Sequence, residues 1–348
     1  MQRRRLPRAA LKSTRALPNP AINQSPSEML SSVGEHGKTG CFDRRGVVCG
    51  AYISPTTASP QNREQPKQAI AAQPRVQQNV QEAPRTECDT LTAHELDPGR
   101  KADGVPFEKI NPTLAIPVCK NALKQFPNSR RLAFQLGRAY DKIGDFNSAI
   151  TQYRTVADRG YAPAQYNLGI KYYRGEGIAK DEAAAVGWYR RAAGQGYAPG
   201  QTDLGFMYEK GQGVAKNERT AVDWYRKAAE QGYAPAQSNL GTMYLYGQGV
   251  TKDDAQAAIW YRKAADHGNG HSQVVLGSMY YFGQGVPENY VIAHKWFTLA
   301  AARGAQNAVD LRESVAAKMT SEQIAAAQRL VREWKPKPER RQQEASAQ

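Results

Sequence analysis

The chain has 348 residues, 47 Lys and Arg against 32 Asp and Glu, a net charge of +15 and four cysteines. Nearly half of that excess, +7, falls in residues 1–87, which argues against a globular domain built around a basic cleft. No stretch approaches the roughly 18 consecutive apolar residues of a membrane-spanning helix.

Residues 1–104 have no sustained period. Prolines recur from Pro7 to Pro84, and a Gln- and Ala-rich run follows Pro60. Such a composition buries too little apolar surface to offset chain entropy, so a long disordered N-terminal region is expected. The first 27 residues carry six Lys or Arg and no acid. That is the composition of an organellar transit peptide, of a basic disordered tail, or of a start placed too far upstream. A secretory signal needs an unbroken apolar core, and Pro7, Lys12 and Arg15 interrupt every candidate. The compartment stays open: cytoplasm by default, periplasm or export if the true start differs. Gly37-Lys38-Thr39 resembles the end of a phosphate loop, but the required upstream glycine is Ser32, so nucleotide binding is rejected.

Ala115, Cys119 and Ala122 then predict a lone starting helix over 113–125. Leu136-Gly137, Tyr140, Ala149, Tyr153 and Ala157 predict a first helix pair within 105–160. From Tyr161 to Gly304 the chain repeats itself four times at a 36-residue period. Pro163, Pro199 and Pro235 suit the first turn of a helix. Leu168 and Tyr172, with their equivalents, make one apolar stripe at i and i+4. Gly169, Gly205, Gly241 and Gly277 fall inside that helix, where glycine costs about 1 kcal/mol relative to alanine. A penalty met four times implies close approach of a second helix. Asp181, Asn217, Asp253 and Asn289 are N-caps for that second helix, whose buried face carries Ala185, Trp188, Tyr189, Ala192 and Ala193 and their counterparts. Residues 305–334 read as a terminal capping pair, with Thr320 and Gln323 as a capping box, and 335–348 as a disordered tail.

The pattern A-x-x-x-L-G-x-x-Y-x-x-G-x-G-V-x-x-D-x-x-x-A-x-x-W-Y-x-x-A-A-x-x-G is matched nearly in full four times, departing at Asn269-Gly270. It resembles the Sel-one-like repeat (SLR) family, a relative of the tetratricopeptide repeats (TPR). The resemblance implies an all-α, right-handed superhelical solenoid of antiparallel helix pairs. It implies a non-enzymatic scaffold or adaptor, of the kind found in signalling, assembly and bacterial cell-envelope processes. Such a protein holds a protein or peptide on the concave face lined by the first helices. The alternatives are a hydrolase, an activity attributed to cysteine-rich relatives, and a purely structural, envelope-associated role.

Little else in the sequence carries chemistry. His267 and His271 are separated by helix-breaking glycines and read as solvated, and His294 reads as a surface residue. No cofactor, metal or catalytic residue is expected. Cys88 and Cys119 flank the start of the solenoid and pair in an oxidising compartment; alternatively Cys119 is a small core residue. The first-helix positions outside the recurring columns are the partner-binding candidates: Asn167, Tyr173, Asp203, Phe206, Asn239, Leu245, Tyr246, Tyr281 and Phe282. Their aromatics form an exposed patch or pack between repeats. The Asn and Asp residues bond a ligand backbone or bond within the repeats. Charges on the second helices alternate in sign, so only the basic tail offers a phosphate contact, without specificity. A monomer is expected.

Overall fold

The computed structural model describes residues 83–337 apart from 98, 103 and 306, all within one unit spanning Val80–Gln348. Its described residues form α-helices joined by short loops and one 3₁₀ turn, Phe107–Lys109. The opening helices are α1 (Glu87–Thr92), α2 (Pro112–Gln125), α3 (Arg130–Lys142) and α4 (Phe146–Ala157). The repeat supplies α5 (Ala162–Arg174), α6 (Glu182–Gly194), α7 (Ala198–Lys210), α8 (Glu218–Glu230), α9 (Ala234–Tyr246), α10 (Asp254–Asp266), α11 (Gly270–Phe282) and α12 (Tyr290–Ala301). The last pair is α13 (Ala308–Ala316) and α14 (Ser321–Glu333).

From α3 to α12, each odd-numbered first helix packs against the even-numbered second helix that follows it. Each second helix then packs against the next first helix, which makes an all-α solenoid. Local chemistry sets the helix ends. Asp181 accepts from the Ala184 N–H at 2.9 Å, and Asn217, Asp253 and Asn289 do the same three residues ahead of themselves. The departure at Asn269 keeps this logic. Its side chain accepts from the Ser272 N–H at 2.8 Å, capping α11, which has no proline at its start.

The core is a row of equivalent residues. Tyr153, Tyr189, Tyr225 and Tyr261 on the second helices are fully buried, as are Leu168, Leu204, Leu240 and Leu276 on the first. The glycine beside each leucine has the reason the sequence implied. A Cβ on Gly169 would lie 2.6 Å from the Tyr189 ring. Gly169→Ala is therefore expected to destabilise the protein by roughly 1–3 kcal/mol, because ring and helix must separate; an unchanged denaturation midpoint would contradict this. The second loop glycine has a different task. Gly213 (φ 63°) lies against the start of α6, where a Cβ would sit 2.3 Å from the Glu182 carbonyl carbon.

A buried glutamine column ties the units together. Gln201, Gln237 and Gln273 each donate to the carbonyl of Ala193, Ala229 or Ala265 on the preceding second helix. Gln195 and Gln231 donate in turn to Gln165 and Gln201 at 2.7 Å. These bonds fix the register between neighbouring repeats.

The ends differ from expectation. Residues 83–104 were expected within a disordered tail, yet 83–97, 99–102 and 104 are placed, α1 among them. The reason is tertiary: buried polar groups on α3 hold them. Residues 1–82 lie outside the described part. His294 is buried, 6% exposed, because α13 and α14 cover the flank of α12. Lys337 returns to α10, its ammonium 2.7 Å from Asp266, so 335–337 are anchored; 338–348 lie outside the described residues. Among the described residues no helix is long and apolar enough to cross a membrane.

Candidate functional site

Nine consecutive residues of α3, Arg131–Ala139, are buried. A helix with one apolar stripe cannot achieve that by packing on α4 alone; its other face must also be covered. The cover is the chain's own leading segment. Arg131 donates to the carbonyls of Ala83 and Pro84 at 2.9 and 3.0 Å and pairs with buried Asp89. Gln135 donates to Asp89 at 3.0 Å. Arg138 donates to the carbonyls of Thr92 and Val105. Cys88 on α1 and Cys119 on α2 are joined by a disulfide and are both fully buried. The described residues of 83–105 thus lie across one face of α3, held by three polar side chains spaced i, i+4 and i+7.

Burial and nearby positive charge set the ionisation of this segment. His94 is half-buried beside Phe134; desolvation, then Arg138 and Arg100, pull its imidazole down to about 3. Its Nδ1 accepts from the Leu96 N–H, as a neutral ring does. Burial raises the Asp97 carboxyl, opposed by hydrogen bonds from the Tyr161 phenol and the Gly99 N–H. Tyr161 begins α5, so the segment reaches the second first-helix as well.

Gln135 and Arg138 stand one residue before and two after the recurring leucine column, here Leu136. In later repeats the position before is held by Asn167, Asp203 and Asn239. The position two after is held by Ile170, Phe206 and Thr242. The leading segment therefore occupies, on α3, the columns from which Asn167, Asp203, Phe206 and Asn239 were drawn downstream. Sequence reasoning missed Arg131, Gln135, Arg138 and Asp89. The available signal was three long polar side chains on one face of a first helix.

The nine candidates divide. Asn167 and Asn239 hydrogen-bond the Tyr153 and Tyr225 phenols, so their amides are engaged within the repeats. Phe206 is half-buried between the clusters of α7 with α6 and α8. Tyr173 donates its hydroxyl to Gln212 at 3.0 Å, bridging the last turn of α5 and the loop after α7. Leu245 is half-buried against the cluster that contains Met279. Tyr246 and Phe282 are exposed, by 50% and 43%. Tyr281 meets Phe282 edge-on at 4.7 Å, with the Lys318 ammonium 4.5 Å from its ring. Asp203 stands apart. Burial pushes its carboxyl up to about 7, opposed by a hydrogen bond from Tyr166 and by the Arg174 charge. Its Oδ2 is buried without a partner among the described residues, and so is the hydroxyl of Tyr189.

Comparison with known proteins follows the same repeat. The Sel1 repeat family model matches residues 162–197, 198–233, 234–269 and 270–304. A crystal structure of a Sel1 repeat protein from Oxalobacter formigenes is 28% identical with a TM-score of 0.54, over 64% of this chain and 94% of that one. A protective antigen from uropathogenic Escherichia coli strains, described as displaying an SLR fold, is 30% identical with a TM-score of 0.42, over 65% and 57%. The rat protein named "DAP3-binding cell death enhancer 1" is 39% identical over 61 residues, 17% of this chain; the match spans only 12% of the rat protein's length.

Proposed function

Since the chain is a Sel1-like helical repeat protein with four Sel1 repeats over residues 162–304, we propose that it acts as a monomeric adaptor that holds a protein or peptide on its first-helix face. Sel1 repeat proteins are generally protein-interaction scaffolds. The observation that carries the specific reading is intramolecular. Residues 83–105 lie on the first-helix columns of α3 through two arginines and a glutamine that take up backbone carbonyls and one carboxylate. A surface that recognises its own chain in this way has the chemistry to recognise another. Further along, the same face ends in the exposed aromatics Tyr246 and Phe282. Aromatic anchors of this kind carry a large share of interface energy.

The test is an affinity pull-down with the full chain and with the Tyr246→Ala/Phe282→Ala double variant as control. Captured partners are then re-measured as purified proteins. The double variant is expected to bind at least about ten-fold more weakly, because truncating one such anchor removes on the order of 1–2 kcal/mol. Its helicity should be unchanged, since both side chains project into solvent. Equal affinity of both proteins for every partner would remove the aromatic end of this surface from the reading.

A further inference from the structure

The phenols of the buried second-helix tyrosines form a series with one exception. The Tyr153 and Tyr225 phenols each bond a residue of their own pair and one of the next, and Tyr261 bonds its own pair. Tyr153 donates to Asp141 at 3.3 Å and bonds Asn167. Tyr225 donates to Glu209 at 2.7 Å and bonds Asn239. Tyr261 pairs with Thr242 at 2.8 Å. For Tyr189 the corresponding residues are Tyr173 and Asp203. Tyr173 turns its hydroxyl to Gln212 instead. The Tyr189 hydroxyl and the Asp203 Oδ2 are both left buried without a partner.

An unpaired buried polar atom is unfavourable, and here two lie in one place. The chain shows the simple remedy twice, since Asn167 and Asn239 occupy the Asp203 position and bond the phenol. Keeping an acid there works against stability. The Tyr166 phenol donates to Asp203 but Oδ2 stays unpartnered, and a departure from a structural rule that is only partly compensated marks a functional position. We infer that Asp203 and Tyr189 form a receptor for one cationic group, the ammonium or guanidinium of a lysine or arginine side chain on the bound polypeptide. This rests on the adaptor reading and names what the surface selects.

The surroundings fit a cation. Asp203 supplies a carboxylate oxygen and Tyr189 a phenolic oxygen, both able to accept N–H bonds. Tyr166, which donates to Asp203, has its ring 5.8 Å from that of Tyr189 and 5.6 Å from that of Tyr197, so aromatic rings, whose faces attract positive charge, cluster beside the carboxylate. Arg174, whose charge also acts on Asp203, is paired with Glu176 at 3.6 Å. An acidic side chain would meet the Asp203 carboxylate as a like charge.

The test uses small probes, so it needs no knowledge of the partner. N-acetyl-L-arginine amide, N-acetyl-L-lysine amide and N-acetyl-L-glutamine amide are titrated into the full chain carrying ¹³C-labelled tyrosine rings. The Tyr189 signals are assigned with Tyr189→Phe. Saturable shifts of Tyr166 and Tyr189 in the millimolar range are expected with one or both cationic amides and none with the glutamine amide. Asp203→Asn, which restores the residue type of the neighbouring repeats and so keeps the fold, should weaken cation binding at least ten-fold. Equal response to the glutamine amide, unchanged binding in Asp203→Asn, or no saturable shift with either cation would overturn the proposal; the last result would mean that water alone fills the gap. A failed titration alongside partner loss in the aromatic double variant removes the cation receptor and leaves the adaptor. Cation binding alongside unchanged partners in that variant keeps the cation receptor and removes the aromatic end of the surface.

Discussion

Replacing Cys88 and Cys119 together by alanine is expected to lower the stability of the N-terminal end by about 3 kcal/mol and to loosen residues 83–105 from α3. The bond closes a loop of sequence separation 31, for which lost chain entropy in the unfolded state is worth roughly 3–4 kcal/mol. The segment has few other apolar anchors: Ala83 and Ala93 are its buried hydrophobics besides Cys88. The rest is polar and depends on alignment. Once α1 shifts, Arg131 loses Asp89 and two carbonyls, and Arg138 loses two more. Breaking a buried ion pair strands a charge, so the penalty extends beyond the sulfurs. Two thiols mapping to Cys88 and Cys119 should become reactive only after reduction under denaturing conditions. Limited proteolysis of the double variant should cut first within 83–105 while α5–α12 stay intact. Equal thiol counts with and without reductant, or an unchanged denaturation midpoint in the double variant, would defeat the prediction.

That segment also marks where sequence reading stopped. The repeat was legible because each copy restates the same packing problem. Leucine, glycine, tyrosine and cap recur at one spacing, and the Gly169–Tyr189 contact confirms the close approach inferred from glycine alone. The leading segment is stated once. Its contacts run from Ala83, Asp89 and Thr92 to α3, 46–48 residues away, and no period betrays a contact made a single time. Proline-rich composition pointed to disorder, whereas the buried arginines that overrule it lie outside the segment. His294 shows the same limit. On its own helix it reads as surface, and only the packing of α13 and α14 buries it. Among the candidate residues the column positions were legible but the direction of each bond was not. Asn167 and Asn239 bond phenols, and Asp203, one letter different, does not satisfy its own.

Tyr225→Ala should have the largest single-residue effect in the array, about 3–5 kcal/mol. The ring is fully buried beneath Gly205, whose helix cannot close on the space left behind without shifting α7 against α8. Its removal also takes the partner from Glu209 Oε2 and from Asn239. In a solenoid each unit is stabilised by its neighbours, so the damage stays near the break. Hydrogen exchange should therefore rise most in α7–α10 and least in α3–α4. A uniform rise from end to end would show that the array unfolds as one cooperative block instead. The hydroxyl can be separated from the ring by comparing two conservative variants. Tyr225→Phe removes a made hydrogen bond and leaves Glu209 behind, costing about 1–2 kcal/mol. Tyr189→Phe removes a hydroxyl that has no partner, so stability is expected to hold or to rise by up to about 1 kcal/mol. The fourth repeat already carries Phe297 at this position, fully buried against Gly277, so the ring alone fits the site. A clear loss of stability in Tyr189→Phe would mean that its hydroxyl is satisfied in solution, and the contrast between the two tyrosines would disappear.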